Sequence, residues 1–367
     1  MAERNTVVVI GAGIIGLTTA LRLQESLDPS RHEVVVVSEE WPTSIPGVPV
    51  KHSVNYASMW AGAHVRPIPA STPQLRREAA WLRRTVQVFE EQLQSSLVGV
   101  TKCKGIEFLE APPPEYTGQT QESFTSETGL SNYRKYSSSE LPAGVKLGFE
   151  YETYCINAPV YCASLLRRFV VRGGKCVKHH LANEREAYAV WHQVSLVVNA
   201  SGTGFGDPKT FPTRGQTVLT DLVAAKDTVT LQKADGTWSF IIPRFLDGGT
   251  VVGGTKQPGD WSSIPSVSTR ESLLSEGSKI AQFAMPHPRK LEAIKVVSDI
   301  VGRRPTREGG MRIEVESLDS PESGLRVIHA YGAGGRGFET SWGIAEDVVE
   351  LVKVELLGQS HLTVAKL

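Results

Sequence analysis

Apolar positions along the chain follow two periods, and the switch between them marks the elements. Thr6-Val-Val-Val-Ile10 is a continuous β-branched run, which predicts a strand buried on both faces. Glycines interrupt the pattern at Gly11, Gly13 and Gly16. Leu17, Ala20, Leu21 and Leu23 then share one helical face, and Glu33-Val-Val-Val-Val37 returns to the strand pattern. A β-α-β unit follows from these three segments. Residues 72–93 predict a helix, with Leu75, Ala79, Trp81, Leu82, Val86 and Phe89 as its apolar stripe. Residues 158–172 predict another, closed by Gly173-Gly174, with strands at 175–179 and 195–201. After Arg214 the pattern becomes β-rich, with strands around Val218, 240–243 and 250–253. Residues 327–331 form the last predicted strand and 340–356 the closing helix. Residues 52–69 read as an irregular crossing. Residues 111–143, loaded with Pro, Ser, Thr and Glu, predict a loop and the most mobile part of the chain.

At 367 residues the chain exceeds what one hydrophobic core usually holds, so two domains are expected. Lys+Arg and Asp+Glu stand at 39 each, so no whole-chain field favours nucleic acid or an anionic membrane. The expected partner is a small molecule, and a homo-oligomer stays open. Cys103, Cys155, Cys162 and Cys176 include no CxxC pair, which argues against a disulfide framework and against a zinc site; no metal is expected. The thiols read as reduced and structural. The N-terminal apolar run is too short and too soon broken for a signal or a membrane span. Ala365-Lys366-Leu367 is one residue from the Ser-Lys-Leu address read by the peroxisomal import receptor, which makes the peroxisome the expected location.

The glycines carry the first chemistry. Gly11 permits a tight turn, Gly13 lets backbone N–H groups approach a pyrophosphate, and Gly16 lets helix and strand pack closely. Glu39 follows the second strand, where a carboxylate can accept ribose hydroxyls and disfavours a 2′-phosphate. FAD and NAD both satisfy this motif. A second glycine-rich turn, Gly332-Ala-Gly-Gly335-Arg-Gly337, opens the closing helix and shifts the balance to FAD by aiming a positive helix end at an electron-rich ring.

Together the stretches VVVIGAGIIGL (7–17), SMWAGAHVRP (58–67), VVNASGTG (197–204), RGQT (214–217), FIIPR (240–244), GGTKQPGDW (253–261), VGRRP (301–305) and HAYGAGGRGFETSWGIAEDV (329–348) resemble the D-amino-acid oxidase and D-aspartate oxidase family. The resemblance implies an α/β fold, with a Rossmann-like FAD-binding domain (1–69, 151–214, 300–367) interleaved with an α+β substrate domain (70–150, 215–299) built on a large antiparallel sheet. It implies FAD contacts at Gly11, Ala12, Gly13, Ile14, Ile15 and Gly16, with Glu39 and Glu40 on the ribose side. Ser58, Met59, Ala61, Gly62 and Ala63 would follow, with Val177, Ser201 and Gly202. Arg304, Gly332, Gly334, Gly335, Arg336, Gly337, Phe338 and Glu339 would complete the set. The reaction it implies is hydride transfer from a D-amino acid to flavin N5, giving a 2-oxo acid, ammonia and, with dioxygen, hydrogen peroxide.

Within that resemblance Arg304, the arginine of the VG-x-RP motif, would hold the substrate α-carboxylate; otherwise it is a surface arginine. Phe240 stands where the family usually has Tyr, so one polar contact is absent, a loss that also suits a non-catalytic flavoprotein. Lys256 follows GGT where D-aspartate oxidases carry Arg, and a cation in a largely enclosed pocket calls for a substrate carboxylate. Lys256 could instead face solvent or pair with Asp260. His64 could donate to the distal carboxylate or serve as a structural histidine. An acidic D-amino acid is therefore the expected substrate, with a neutral one as the alternative within the same chemistry.

Overall fold

Two sheets organise the chain. The computed structural model describes residues 4–45, 51–94, 99–286, 294–319 and 324–364, so the terminal Ala365-Lys366-Leu367 lies outside the described residues. The first sheet runs in the order Arg312–Ser317, Arg326–Tyr331, Val194–Asn199, Asn5–Ile10, His32–Ser38, Lys175–Lys178. All its neighbours are parallel except the first pair. The continuous apolar runs are buried on both faces, as a covered parallel sheet requires. Val7, Val9, Val34 and Val36 pack against the helix Ile14–Ser26 and the closing helix Gly337–Val364. Val8, Ile10, Val35 and Val37 pack on the other side with Leu181 and Ala187.

The second sheet is largely antiparallel and runs Gln257–Pro258, Thr210–Thr220, Thr250–Gly253, Trp238–Pro243, Thr228–Gln232, Val100–Leu109, Leu147–Ile156, Arg134–Lys135. The strand Val296–Arg307 pairs along the far edge of Thr210–Thr220, setting Ile300 opposite Thr217, Gly302 opposite Gly215 and Arg304 opposite Thr213. Strands therefore run unbroken through the expected divisions at 151, 214 and 300, because a continuous ladder keeps each strand whole across them.

Residues 111–143 differ from the expected loop. They hold the helices Pro114–Thr117 and Gln121–Thr128, the second opened by a Thr120–Ser123 capping box and closed at Gly129, whose φ is 74°. Tyr116, Phe124 and Tyr133 are buried and pack against Phe149 and Tyr151; the Phe124 and Tyr133 rings stack 4.5 Å apart. Three aromatics anchor a segment whose polar majority hides them from a composition count. The helix Pro73–Leu93 stands where the periodicity places it, capped by Thr72 through its side chain.

Candidate active site

The glycine turn after the first strand is held open by contacts no larger residue permits. Gly11 has φ 99°, and a Cβ there would stand 2.5 Å from the Ala200 carbonyl oxygen. A Cβ on Gly16 would meet the Gly11 carbonyl oxygen at 1.9 Å, so Gly16 serves helix-to-strand packing. Three side chains fix the turn: Ser38 Oγ accepts from Ala12 N–H at 3.2 Å, Ser58 Oγ accepts from Ile14 N–H at 3.0 Å, and Tyr56 donates to the Ala12 carbonyl at 2.5 Å.

From this turn a cavity of 840 Å³ runs past Glu39, Glu40, Ser201 and Gly202 and on between the two sheets to Arg304 and Lys256. Glu39 takes Nδ1 of His180 at 2.9 Å and is exposed on the cavity lining, where its carboxylate could accept ribose hydroxyls, whereas Glu40 is engaged by the Ser53 N–H at 2.8 Å. Gly332 (φ 88°) and Gly334 (φ 58°) form the second turn, and the closing helix begins at Gly337 beside the cavity. A glycine-floored turn, a carboxylate beyond it, a second helix N-terminus and a long continuous cavity together fit FAD.

Most expected cofactor contacts line this cavity: Gly11, Ala12, Gly13, Ile14 and Ile15, Ser58, Ala61, Gly62 and Ala63, and the run Gly334, Gly335, Arg336, Gly337, Phe338 and Glu339. Met59 and Val177 are placed elsewhere. Met59 is fully buried in the main core, and Val177 packs beneath the parallel sheet. Arg244, which sequence reasoning passed over, clamps the wall by donating to the Gly62 and Ala61 carbonyls, both at 2.7 Å. Burial pulls its pKa down to about 10. Its place in the quoted FIIPR stretch was the signal available.

Arg304 reaches back over its partner strand. A Cβ on Gly215 would stand 2.4 Å from Arg304 Nη1, and one on Gly335 would stand 3.3 Å from its Cδ. Nη1 donates to the Thr255 carbonyl at 3.2 Å, and among the described residues no carboxylate pairs with the guanidinium. Burial lowers its pKa, so the fold bears an uncompensated charge that faces the cavity. An anion arriving there gains what the protein itself leaves unpaired.

Lys256 departs from the expectation of an enclosed cation. It is exposed at the rim of the cavity with Nζ 5.6 Å from the centre of the Trp238 ring. Asp260 stands instead by Arg214, at 4.0 Å, and Lys256 has no ion pair among the described residues. His64 lies on the cavity wall with Nδ1 2.7 Å from the Thr228 hydroxyl oxygen, and that hydroxyl donates to the Ile241 carbonyl at 3.0 Å. Its proton being spent there, the imidazole donates through Nδ1 and keeps Nε2 as an acceptor. Burial, helped by the nearby Arg66 charge, pushes the His64 pKa down to about 3. His64 is thus neutral and structural at one nitrogen, and does not supply a cation. Phe240 also lines the cavity, its ring edge against Gly253 and Gly254.

Arg336 is committed elsewhere. Its guanidinium binds Glu339 and, at 2.5 Å, Glu78; Glu339 also accepts the Arg66 backbone N–H at 2.8 Å, while the Arg66 side chain grips Glu107. This chain of charges ties the start of the closing helix to the long helix and the large sheet. No group of three His, Cys, Asp or Glu suited to a metal occurs among the described residues, and no described helix is long and apolar enough to cross a membrane.

Residues 6–351 match the family model described as FAD dependent oxidoreductase, and the chain belongs to this family. A D-aspartate oxidase from Talaromyces thermophilus is 43% identical over 361 residues, covering 94% of each chain. A D-amino-acid oxidase from Fusarium vanettenii is 29% identical, covering 98% of this chain and 99% of that one. The fold is similar to that of a glycine oxidase from Geobacillus kaustophilus (TM-score 0.67, 19% identity, 95% of each chain) and an iminodiacetate oxidase from Chelativorans sp. BNC1 (TM-score 0.69, 16% identity, 95% of each chain). The expected α/β fold with a large second sheet, and FAD as cofactor, accord with these findings.

Proposed function

We propose that the chain oxidises acidic D-amino acids, with D-aspartate as the preferred substrate, to the 2-oxo acid, ammonia and hydrogen peroxide. The observation that carries this is a pair of cations on one cavity, Arg304 and Lys256, neither with an acid partner among the described residues. A dicarboxylate supplies an anion for each. The resemblance to the Talaromyces thermophilus D-aspartate oxidase supports the same choice.

FAD, when bound, supplies the two-electron acceptor for the Cα–N bond and the route to dioxygen. The protein groups then bind and orient. Arg304 presents a planar fork to the α-carboxylate over bare Gly215, where two parallel hydrogen bonds fix both position and tilt. Phe240 offers an apolar face and no hydroxyl, so alignment rather than proton transfer is its contribution. Lys256 attracts the distal carboxylate at the rim, and its exposure weakens that attraction through screening. That exposure is also the observation that favours a broader oxidase acting on neutral side chains.

Anaerobic mixing of the purified flavoprotein with D-aspartate tests the proposal. Bleaching of the flavin absorbance by D-aspartate and not by L-aspartate is expected, and Arg304→Ala should slow that bleaching by well over roughly tenfold, the loss expected of a charge-assisted pair, with flavin retained. A flavin left oxidised by D-aspartate contradicts it.

A further inference from the structure

The strands Val100–Leu109 and Leu147–Ile156 pair antiparallel, with Cys103 opposite Thr153 and Cys155 opposite Thr101. Side chains alternate along a strand, so the two cysteines stand on one face, a single diagonal apart. Their sulfurs touch: Cys103 Sγ donates to Cys155 Sγ at 3.3 Å, and no other pair of cysteine sulfurs is in contact among the described residues. Cys155 is fully buried against Ile242, Val251 and Phe240, while Cys103 is only partly covered. The backbone at Cys155 bridges to His64, and Ile156 exchanges main-chain hydrogen bonds of 2.7 and 3.0 Å with Ala63. Ala63, His64, Phe240 and Ile242 line the cavity, so the sulfur pair lies immediately behind its wall.

We propose that Cys103 and Cys155 form a dithiol that hydrogen peroxide closes to a disulfide, and that closure disturbs the cavity wall and slows turnover. The chain's own product is the oxidant, so this rests on the oxidase reaction for its supply of peroxide but not for its chemistry. Cys103 as thiolate attacks peroxide, becomes the sulfenic acid and releases hydroxide. Hydroxide takes the Cys155 proton as water, and the Cys155 sulfur displaces the hydroxyl from Cys103, which leaves as hydroxide and recovers the first proton. Two thiols and one peroxide thus give one disulfide and two waters. Cys103, the more accessible sulfur, is the attacking one; burial pushes the Cys155 thiol up and holds it in reserve as the resolving partner.

Closing 3.3 Å of contact to a bond of about 2.05 Å draws the two strands together. Leu147–Ile156 carries Ala63 and His64 with it through the bridge and the paired hydrogen bonds. With Cys103 only partly covered, a reductant can reach the bond and reopen it, the behaviour of a reversible brake rather than of a structural crosslink.

Flavin-loaded protein, first fully reduced at its cysteines, is treated with added hydrogen peroxide in the absence of substrate. The expected result is loss of two of the four thiols, a mass lower by about 2 Da, and a peptide joining residues 103 and 155. Peroxide release on D-aspartate should fall at least twofold and return with dithiothreitol, while Cys103→Ser keeps its rate through the same treatment. Four thiols surviving, oxidation confined to exposed Cys176, or a disulfide that leaves the rate unchanged each overturn the proposal. Because peroxide is added directly, the thiol count and the linked peptide decide the site even if D-aspartate proves the wrong substrate.

Discussion

Arg304 lies across the bare Cα of Gly215: a methyl group there would stand 2.4 Å from Nη1 and 2.5 Å from Nη2. The two residues lie on adjacent strands two positions out of direct register, on the diagonal of one sheet face, since Gly215 pairs with Gly302 and Arg304 with Thr213. Gly215→Ala should push the guanidinium out of place without removing it. A displacement of about 1 Å in a positioning group can cost roughly 100-fold, so kcat/KM on D-aspartate is expected to fall by that order while the flavin stays bound. Steady-state kinetics with a flavin-to-protein ratio check it; a rate within twofold of the parent contradicts the placement.

His64 gives a pH signature. Its folded-state pKa is about 3 against an ordinary value of 6.5, so between those limits the unfolded chain binds a proton that the folded chain does not. Stability from this residue is complete above about pH 6.5 and is lost as the pH falls towards 3. Thermal unfolding from pH 7 to pH 4 should show a shallower loss of Tm in His64→Gln than in the parent. Equal slopes would show that the imidazole is free to charge in the fold.

Arg336 is expected to behave as a structural residue. Arg336→Met leaves the Glu78 and Glu339 carboxylates uncompensated, and breaking a buried pair costs about 3 kcal/mol or more. Denaturant unfolding should report that loss, while KM for D-aspartate stays within twofold. A tenfold rise in KM at unchanged stability would instead place Arg336 at the substrate.

The first sheet is legible in local sequence patterns. The run 6–10, the glycines at 11, 13 and 16 and the stripe through 75–89 need only a period and a turn, and each element stands where the pattern puts it. Long-range pairing is different. Nothing local in 296–307 says that it runs the whole length of 210–220, yet that ladder sets Arg304 above Gly215. The exposure of Lys256 and the capture of Arg336 by Glu78, 258 residues away, depend equally on contacts distant in sequence. In 111–143 composition misled, because three aromatics outweigh a polar majority once Phe149 and Tyr151 are beneath them.

Preference for an acidic substrate is the central claim, and it rests on Lys256 as the second cation. The most direct measurement is the ratio of kcat/KM for D-aspartate to that for D-alanine, taken from peroxide release by the parent and by Lys256→Ala. The ratio should stand well above unity in the parent and fall roughly two- to fivefold in the variant, chiefly through KM for D-aspartate, as loss of one exposed and screened charge contact implies. A parent that prefers D-alanine, or a ratio that Lys256→Ala leaves unchanged, contradicts the account.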